Sequence, residues 1–188
     1  DELREIWTKE GDKWPDLVKN MQHRIGLNSG NIVTGNMGSE LKLNYTCMGD
    51  DVNLTQRLES SAKQWGIASQ VSDSIYQKTK DDFVYRNLGG IKVVGKNEPV
   101  ITYELMEYKG QESSNLKKLL EAFEKGRLLY LDQKWDKAIQ FFEQADQLED
   151  MFTGRKTNPS RVMIERCEEF KKNPPEKDWD GVYTLTKK

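Results

Sequence analysis

The hydrophobic period changes repeatedly between residues 23 and 106, and this alternation restricts the possible folds more than any other feature. Ile25 and Leu27 alternate with small or polar residues, as expected for a strand. After Asp50, apolar residues recur every three or four positions, as in an amphipathic helix whose first turn Asp50 or Asp51 can cap. Strand-like and helix-like segments then continue to alternate. The pattern predicts an α+β fold for this region.

A helical tail follows a polar segment at residues 109–115, which contains Gly and Ser and is typical of a linker. The tail predicts two amphipathic helices with the spacing of a tetratricopeptide-type hairpin, carried by Gly126, Tyr130, Trp135, Ala138 and Phe142. A single repeat cannot bury its faces on copies of itself. We therefore expect a first domain at 1–108, a linker at 109–115 and a tail with an irregular C-terminus at 116–188. The tail should pack on the first domain, on residues 159–171 or on a partner protein.

Composition excludes several classes of function. The 29 basic and 31 acidic residues are interspersed, which gives no electrostatic basis for binding nucleic acid or an anionic membrane. No secretory signal or membrane span is visible, so we expect a cytoplasmic location, with membrane anchoring of a longer parent protein left open. His23 is the single histidine, and the distant Cys47 and Cys167 are expected to be reduced thiols. The sequence therefore predicts no metal ligand in this chain.

The segment GDDVNLTQRLES contains the candidate catalytic residues. Asn53 and Arg57 are four residues apart and project from one face of the expected helix, while Leu54 and Leu58 point elsewhere. An amide beside a planar guanidinium is suited to holding a ribose oxygen and a phosphoryl group. From spacing alone, the favoured interpretation is a solvated helix face on which Arg57 pairs with Glu59 or another acid.

Four segments occur in an order that resembles class III adenylyl and guanylyl cyclase catalytic domains of bacterial type. They are RIGLNSGNIVTGNMGS, NYTCMGDDVNLTQRLE, VSDSIY and VVGKNEPVITYEL, within residues 20–106. The resemblance implies the C-terminal half of a ferredoxin-like cyclase fold. It also implies an enzyme that converts ATP, or less favourably GTP, to 3′,5′-cyclic nucleotide and pyrophosphate. Asn53 would orient the ribose, and Arg57 would stabilise the transition state.

The resemblance also assigns substrate-binding roles. It places the residue that reads the purine at Thr46, whose hydroxyl suits adenine or guanine, whereas Cys47 is one position away from that place. Thr46 is equally interpreted as an ordinary strand residue. The family's triphosphate-binding lysine corresponds to Lys96, or to Lys92 as a substitute, although the segment departs from the family pattern. An exposed lysine without a ligand is the other interpretation of Lys96.

The family's metal ligands have no counterpart in this chain. The resemblance implies two Mg²⁺ or Mn²⁺ ions held by two Asp residues in the N-terminal half of the domain, and Asp50 and Asp51 do not match them. We therefore expect the chain to be inactive alone and to work in a homodimer. The alternative is a regulatory pseudo-cyclase, in which the fold is a dimerisation module and the helical tail binds a partner protein.

Overall fold

Six strands, seven α-helices and a short 3-10 helix (Gly11–Lys13) lie in the part of the chain that the computed structural model describes, residues 2–39, 41–92, 99–149, 155–176 and 178–182. The strands are β1 (Ile25–Leu27), β2 (Val33–Ser39), β3 (Lys42–Met48), β4 (Ser69–Ser72), β5 (Phe83–Ile91) and β6 (Val100–Tyr108). The helices are α1 (Glu2–Lys9), α2 (Asp16–Lys19), α3 (Asp50–Trp65), α4 (Asp73–Thr79), α5 (Ser114–Leu131), α6 (Trp135–Asp146) and α7 (Pro159–Lys172). Strands and helices alternate up to β6 and helices follow, so the α+β prediction with a helical tail is confirmed.

Four strands form one sheet in the order β1, β4, β6, β5. β1 runs parallel to β4, whereas β6 pairs antiparallel with both β4 and β5. β2 and β3 form a separate antiparallel hairpin that joins the sheet region to α3. Helices α3 and α4 both contact β4, and its residues Gln70, Val71 and Ser72 are buried. Helix α3 therefore packs against this sheet.

Helix α3 packs closely on β1 at Gly26. A Cβ at this position would lie 2.4 Å from the carbonyl oxygen of Thr55 and 2.6 Å from the backbone nitrogen of Glu59, so a larger residue would push the helix away. Leu54 and Leu58 bury the sheet-facing side of the helix at 2% and 0% exposure. Burial of each leucine contributes about 1.5–3 kcal/mol.

The tail shares its core with the sheet region. Trp65 of α3 and Leu88 of β5 lie in one buried cluster with Phe123 and Phe142 of the tail hairpin and Cys167 of α7. The tail thus packs on the first region and on residues of α7, two of the three arrangements that the sequence left open. α5 and α6 approach closely because Gly126 has no side chain: a Cβ there would lie 2.8 Å from the Phe142 ring.

The two cysteines have different environments and do not pair with each other. Cys47 is exposed on β3, whereas Cys167 is buried in α7. Burial raises the pKa of the Cys167 thiol to about 12, with a smaller contribution from the neighbouring Glu168 carboxylate. Both are free thiols, as the sequence predicts. Separately, none of the helices within the described ranges has the length and apolar character needed to cross a membrane.

Candidate active site

Helix α3 presents Asn53 and Arg57 on the side away from its buried leucines. The Asn53 side chain is exposed and Arg57 is half-buried, while Leu54 and Leu58 face the sheet. The four-residue spacing therefore places the amide and the guanidinium on one accessible face, as the sequence predicts. Two donors on a rigid helix are suited to holding an anionic ligand in a fixed orientation.

The start of α3 differs from the prediction that Asp50 or Asp51 caps it. The N-cap residue is Gly49, at a φ of 144°, and it makes no side-chain capping bond. The chain turns sharply here between β3 and α3, and only glycine adopts this backbone conformation readily. The capping prediction is therefore wrong. The Asp51 carboxylate instead accepts a hydrogen bond from the backbone nitrogen of Asn31, at 3.0 Å.

The Arg57 guanidinium has no acidic partner among the described residues. Glu59, a possible partner of Arg57 by its spacing, forms an ion pair with Arg24 instead. The Arg24 Nε lies 3.1 Å from the Glu59 Oε1. Within the same residues, no hydrogen bond acceptor for the Arg57 side chain is found. A half-buried guanidinium in this state retains its capacity to bind a phosphate. The geometry thus removes the alternative in which Arg57 pairs with Glu59.

The candidate substrate-binding residues lie outside α3. Thr46 is exposed on β3, directly opposite Gly35 of β2. A Cβ at Gly35 would have open space around it, so the hairpin surface beside Thr46 is uncovered. Lys96 lies outside the described residues, and Lys92 is exposed immediately after β5. The structure therefore places Thr46 on an open surface and gives no position for Lys96.

The described residues do not fit a divalent metal site. Across the described ranges, no three His, Cys, Asp or Glu side chains come together as potential ligands. The Asp51 carboxylate, in the first turn of α3, already accepts hydrogen bonds from the Asn28 side-chain amide and from the Asn31 backbone nitrogen. The described residues therefore offer no set of ligands for such an ion.

A cleft of about 290 Å³ between the sheet and α5 was not predicted from the sequence. Tyr76, Tyr85 and Tyr103 line one side, and Leu120 and Phe123 of α5 line the other. Burial raises the pKa of the Tyr103 phenol, as does its hydrogen bond to the carboxylate of Asp73, so the phenol stays neutral. The cleft contains none of the candidate site residues. Its tyrosines come from three separate elements, so no local sequence signal indicates it.

Comparison with known proteins gives consistent matches to one family. The model for the "Adenylate and Guanylate cyclase catalytic domain" matches residues 5–107. The chain is 27% identical over 147 residues to the terminal-differentiation specific adenylate cyclase of Dictyostelium discoideum, covering 76% of this chain and 7% of that protein. It is 44% identical over 73 residues to an adenylate cyclase of Mycobacterium tuberculosis, covering 39% and 16%.

Among solved structures, the chain is similar to the adenylyl cyclase CyaB from P. aeruginosa. The sequence identity is 30% and the TM-score is 0.44, over 59% of this chain and 53% of that one. The guanylate cyclase domain of RhGC from Catenaria anguillulae, solved in complex with GTP, is 30% identical with a TM-score of 0.40, over 50% and 54%. The chain spans about half of each of these structures, and 7% and 16% of the two curated relatives.

Proposed function

Because this chain belongs to the adenylate and guanylate cyclase catalytic domain family, we propose that it is part of a bacterial-type enzyme that converts ATP, rather than GTP, to 3′,5′-cyclic nucleotide and pyrophosphate. The observation that carries the proposal is the Asn53 and Arg57 pair on the accessible face of α3, with Arg57 unpaired among the described residues. A cytoplasmic location is part of the same proposal.

The two side chains have separate roles in this reaction. The 3′-hydroxyl oxygen of the ribose bonds to the α-phosphorus, the hydroxyl proton is lost, and the bond to the bridging oxygen breaks as pyrophosphate leaves. Asn53 holds the ribose in position for attack, and Arg57 neutralises the charge that develops on the phosphoryl oxygens. Mg²⁺ or Mn²⁺, bound by residues outside this chain, would lower the pKa of the attacking hydroxyl and stabilise the leaving pyrophosphate.

Base and triphosphate recognition are assigned to Thr46 and Lys96. The Thr46 hydroxyl can donate or accept a hydrogen bond at the purine edge, and its position on an uncovered surface of β3 leaves room for a base. The choice of ATP is supported by the curated relatives described above, both of which are named as adenylate cyclases. Lys96 would contact the triphosphate from the segment between β5 and β6.

A homodimer is supported by the exposed apolar surface of the β2–β3 hairpin. Tyr45 is 74% exposed and Leu43 is 61% exposed on one face of β3, whereas Val33 of β2, paired with Met48, is 66% exposed on the other face of the hairpin. A two-stranded hairpin with uncovered apolar residues is marginally stable by itself. Thr46 lies on the other face of β3, so a second copy that covers Tyr45 and Leu43 leaves Thr46 accessible to the substrate.

We expect Tyr45→Lys to weaken self-association of the cyclase protein by about tenfold or more, because it places a charge in the centre of the covered surface. Sedimentation velocity across a concentration series measures this effect. Leu17→Lys, at a position that is also exposed but lies on α2 outside the hairpin, is the matched control. Equal self-association of the Tyr45 variant and the unchanged protein would contradict a dimer through this surface.

The 188-residue chain alone is expected to form no cyclic nucleotide from ATP and Mn²⁺. The expectation rests on the resemblance to the family, in which the two Asp residues that bind the metal ions lie in the other half of the domain. Chromatographic detection of cyclic nucleotide measures it, with a longer protein that includes that half as the positive control. Turnover by the isolated chain would contradict the assignment as a half-domain.

The proposal also includes the domain boundaries and the helical tail. We assign residues 1–108 to the partial cyclase domain, 109–115 to a linker and 116–188 to the tetratricopeptide-like tail. The alternative function, a pseudo-cyclase whose tail recruits a partner protein, predicts that the longer protein lacks the two metal-binding Asp residues. The shared core of Trp65 and Leu88 with tail residues favours a tail that supports the cyclase region.

A further inference from the structure

Asp51 connects the loop after β1 to the first turn of α3. Its carboxylate accepts hydrogen bonds from the Asn28 amide at 3.2 Å and from the Asn31 backbone nitrogen at 3.0 Å. The Asn28 amide also lies 3.2 Å from the backbone carbonyl oxygen of Asp51. One residue thus holds both ends of the loop at residues 28–31 against the start of the helix.

Gly30 makes this contact possible because it lies directly against the carboxylate. A Cβ at Gly30 would lie 2.0 Å from the Asp51 Oδ2 and 2.1 Å from its Cγ, distances that no atoms tolerate. The carboxylate therefore occupies the space that a side chain at position 30 would fill. Glycine at position 30 thus leaves the space in which the Asp51 carboxylate makes its hydrogen bonds.

The loop at residues 28–31 also forms hydrogen bonds to α4 on its other side. These bonds limit its movement relative to Asp51. The Ser74 hydroxyl lies 3.1 Å from the Asn28 Oδ1, and it accepts a hydrogen bond from the Ser29 backbone nitrogen at 3.2 Å. The Lys78 ammonium donates to the Ser29 hydroxyl at 2.6 Å. Residues 28–31 therefore lie between two helices, and Asp51 is their link to α3.

The middle and the end of α3 are held by its buried side chains, which begin at Leu54, and by the close contact with Gly26 of β1. Residues 50–53, the first turn of the helix, contain no buried side chain. The hydrogen bonds of Asp51 to the loop therefore hold this turn, two residues before Asn53.

We propose that Asp51 is a positioning residue for the Asn53 and Arg57 pair: it holds the first turn of α3 against the loop, and hence the start of the face that carries both side chains, without touching the substrate. The inference rests on the proposed cyclase function. A small misplacement of catalytic groups lowers turnover strongly, by about 10²-fold for 1 Å. Because the pair acts chiefly in the transition state, the effect should appear in kcat rather than in KM.

The test uses the longer protein that contains this chain and the metal-binding half, with kcat and KM measured for ATP. Asp51→Asn removes one acceptor and places an amide against a donor, so kcat should fall by about 10-fold to 100-fold while KM changes less than about threefold. Gly30→Ala should act in the same way, because its Cβ displaces the carboxylate. Asp50→Asn, one residue earlier and exposed, is the matched control and should leave kcat unchanged.

Exchanging the two groups supplies a rescue. In the Asn28→Asp/Asp51→Asn variant the carboxylate and the amide change places, so the hydrogen bond between the two side chains and the net charge are restored. The bond from position 28 to the backbone carbonyl oxygen of residue 51 is lost, because a carboxylate cannot donate it. This variant should therefore recover part of the lost kcat. Thermal unfolding of the 188-residue chain with each substitution shows that the variants fold.

Three results would overturn the proposal: Asp51→Asn with kcat within about twofold of the unchanged protein, a loss that appears in KM alone, or a kcat that stays low in the exchanged pair. If the unchanged longer protein makes no cyclic nucleotide, the proposed function fails and the positioning role falls with it. Activity in the unchanged protein with an indifferent Asp51→Asn would overturn the positioning role alone.

Discussion

Arg57→Ala in the longer protein should lower kcat for cyclic nucleotide formation by about 10²-fold to 10³-fold, the loss typical of removing one preorganised donor from a transition state. Arg57 is half-buried beside the buried face of a helix, and no acid among the described residues pairs with its guanidinium. The positive charge is therefore available when negative charge builds up on the phosphoryl oxygens. Initial rates with ATP, at saturating and limiting concentrations, separate the effect on kcat from that on KM.

Two further variants make the Arg57 result specific. Arg57→Lys keeps the charge but loses the planar fork that binds two oxygens, so its kcat should lie between those of the alanine variant and the unchanged protein. Lys63→Ala removes an exposed cation from the last turn of the same helix and should leave kcat unchanged. Sedimentation should show the same self-association for all three. A near-normal kcat for Arg57→Ala would remove Arg57 from the mechanism.

The arrangement of α3 could be predicted from the sequence because it depends on local periodicity. Asn53 and Arg57 fall on one face, and Leu54 and Leu58 on another, whenever residues 50–65 form a helix. The start of the helix could not be predicted in the same way. An Asp at the beginning of a helix usually caps it, but here the loop at residues 28–31 brings a competing backbone donor to Asp51.

The packing of the tail depended on contacts that no local pattern encodes. The sequence showed amphipathic helices with an apolar face to bury, which left three possible partners for that face. The choice is made by residues such as Trp65, whose ring carries the Arg166 guanidinium at 4.3 Å, and Gly66, whose missing Cβ admits the Thr157 carbonyl. These pairs are about a hundred residues apart in the sequence, so only the folded chain shows them.

The largest feature missed from the sequence is a buried ionic cluster that joins the tail to the sheet. Arg86 of β5 forms ion pairs with Glu104 of β6 and with Glu149 after α6, and Arg155 approaches Glu104 at 3.8 Å. The Ser160 hydroxyl donates to Glu149 at 2.8 Å. Charged residues on strands usually indicate a solvent-facing side. Here the Arg86 side chain is 1% exposed, because the tail covers it.

The cluster balances two guanidinium groups against two carboxylates, and its stability depends on keeping the set complete. Burial raises the pKa of the Glu104 carboxyl, while the charge and hydrogen bonds of Arg86 oppose that rise. Arg86 also lies over the Phe123 ring, with its Cζ 5.0 Å from the ring centroid. Removing Arg86 would leave two buried carboxylates close together, with Arg155 as the remaining cation beside them among the described residues.

We therefore expect Arg86→Ala to lower the free energy of unfolding of the 188-residue chain by about 3–5 kcal/mol, the usual cost of breaking a buried ion pair. Chemical denaturation monitored by tryptophan fluorescence measures the change. The matched control is Arg24→Ala, which breaks the Arg24–Glu59 pair, where the side chains are 39% and 40% exposed, and should cost less than about 1 kcal/mol. Equal losses in the two variants would contradict a dominant role for the buried cluster.

The defect of Arg86→Ala should shrink as the pH falls. The pKa of Glu104 is already raised by burial in the folded protein, and it should rise further without the guanidinium. A folded-state pKa above the unfolded one means that the folded state binds more protons between the two values, so folding is favoured at low pH and stability declines as the pH rises through the folded pKa. Denaturation at pH 5 and pH 8 should therefore show a smaller difference between variant and unchanged chain at pH 5. A difference that is independent of pH would mean that the uncompensated carboxylates do not cause the loss.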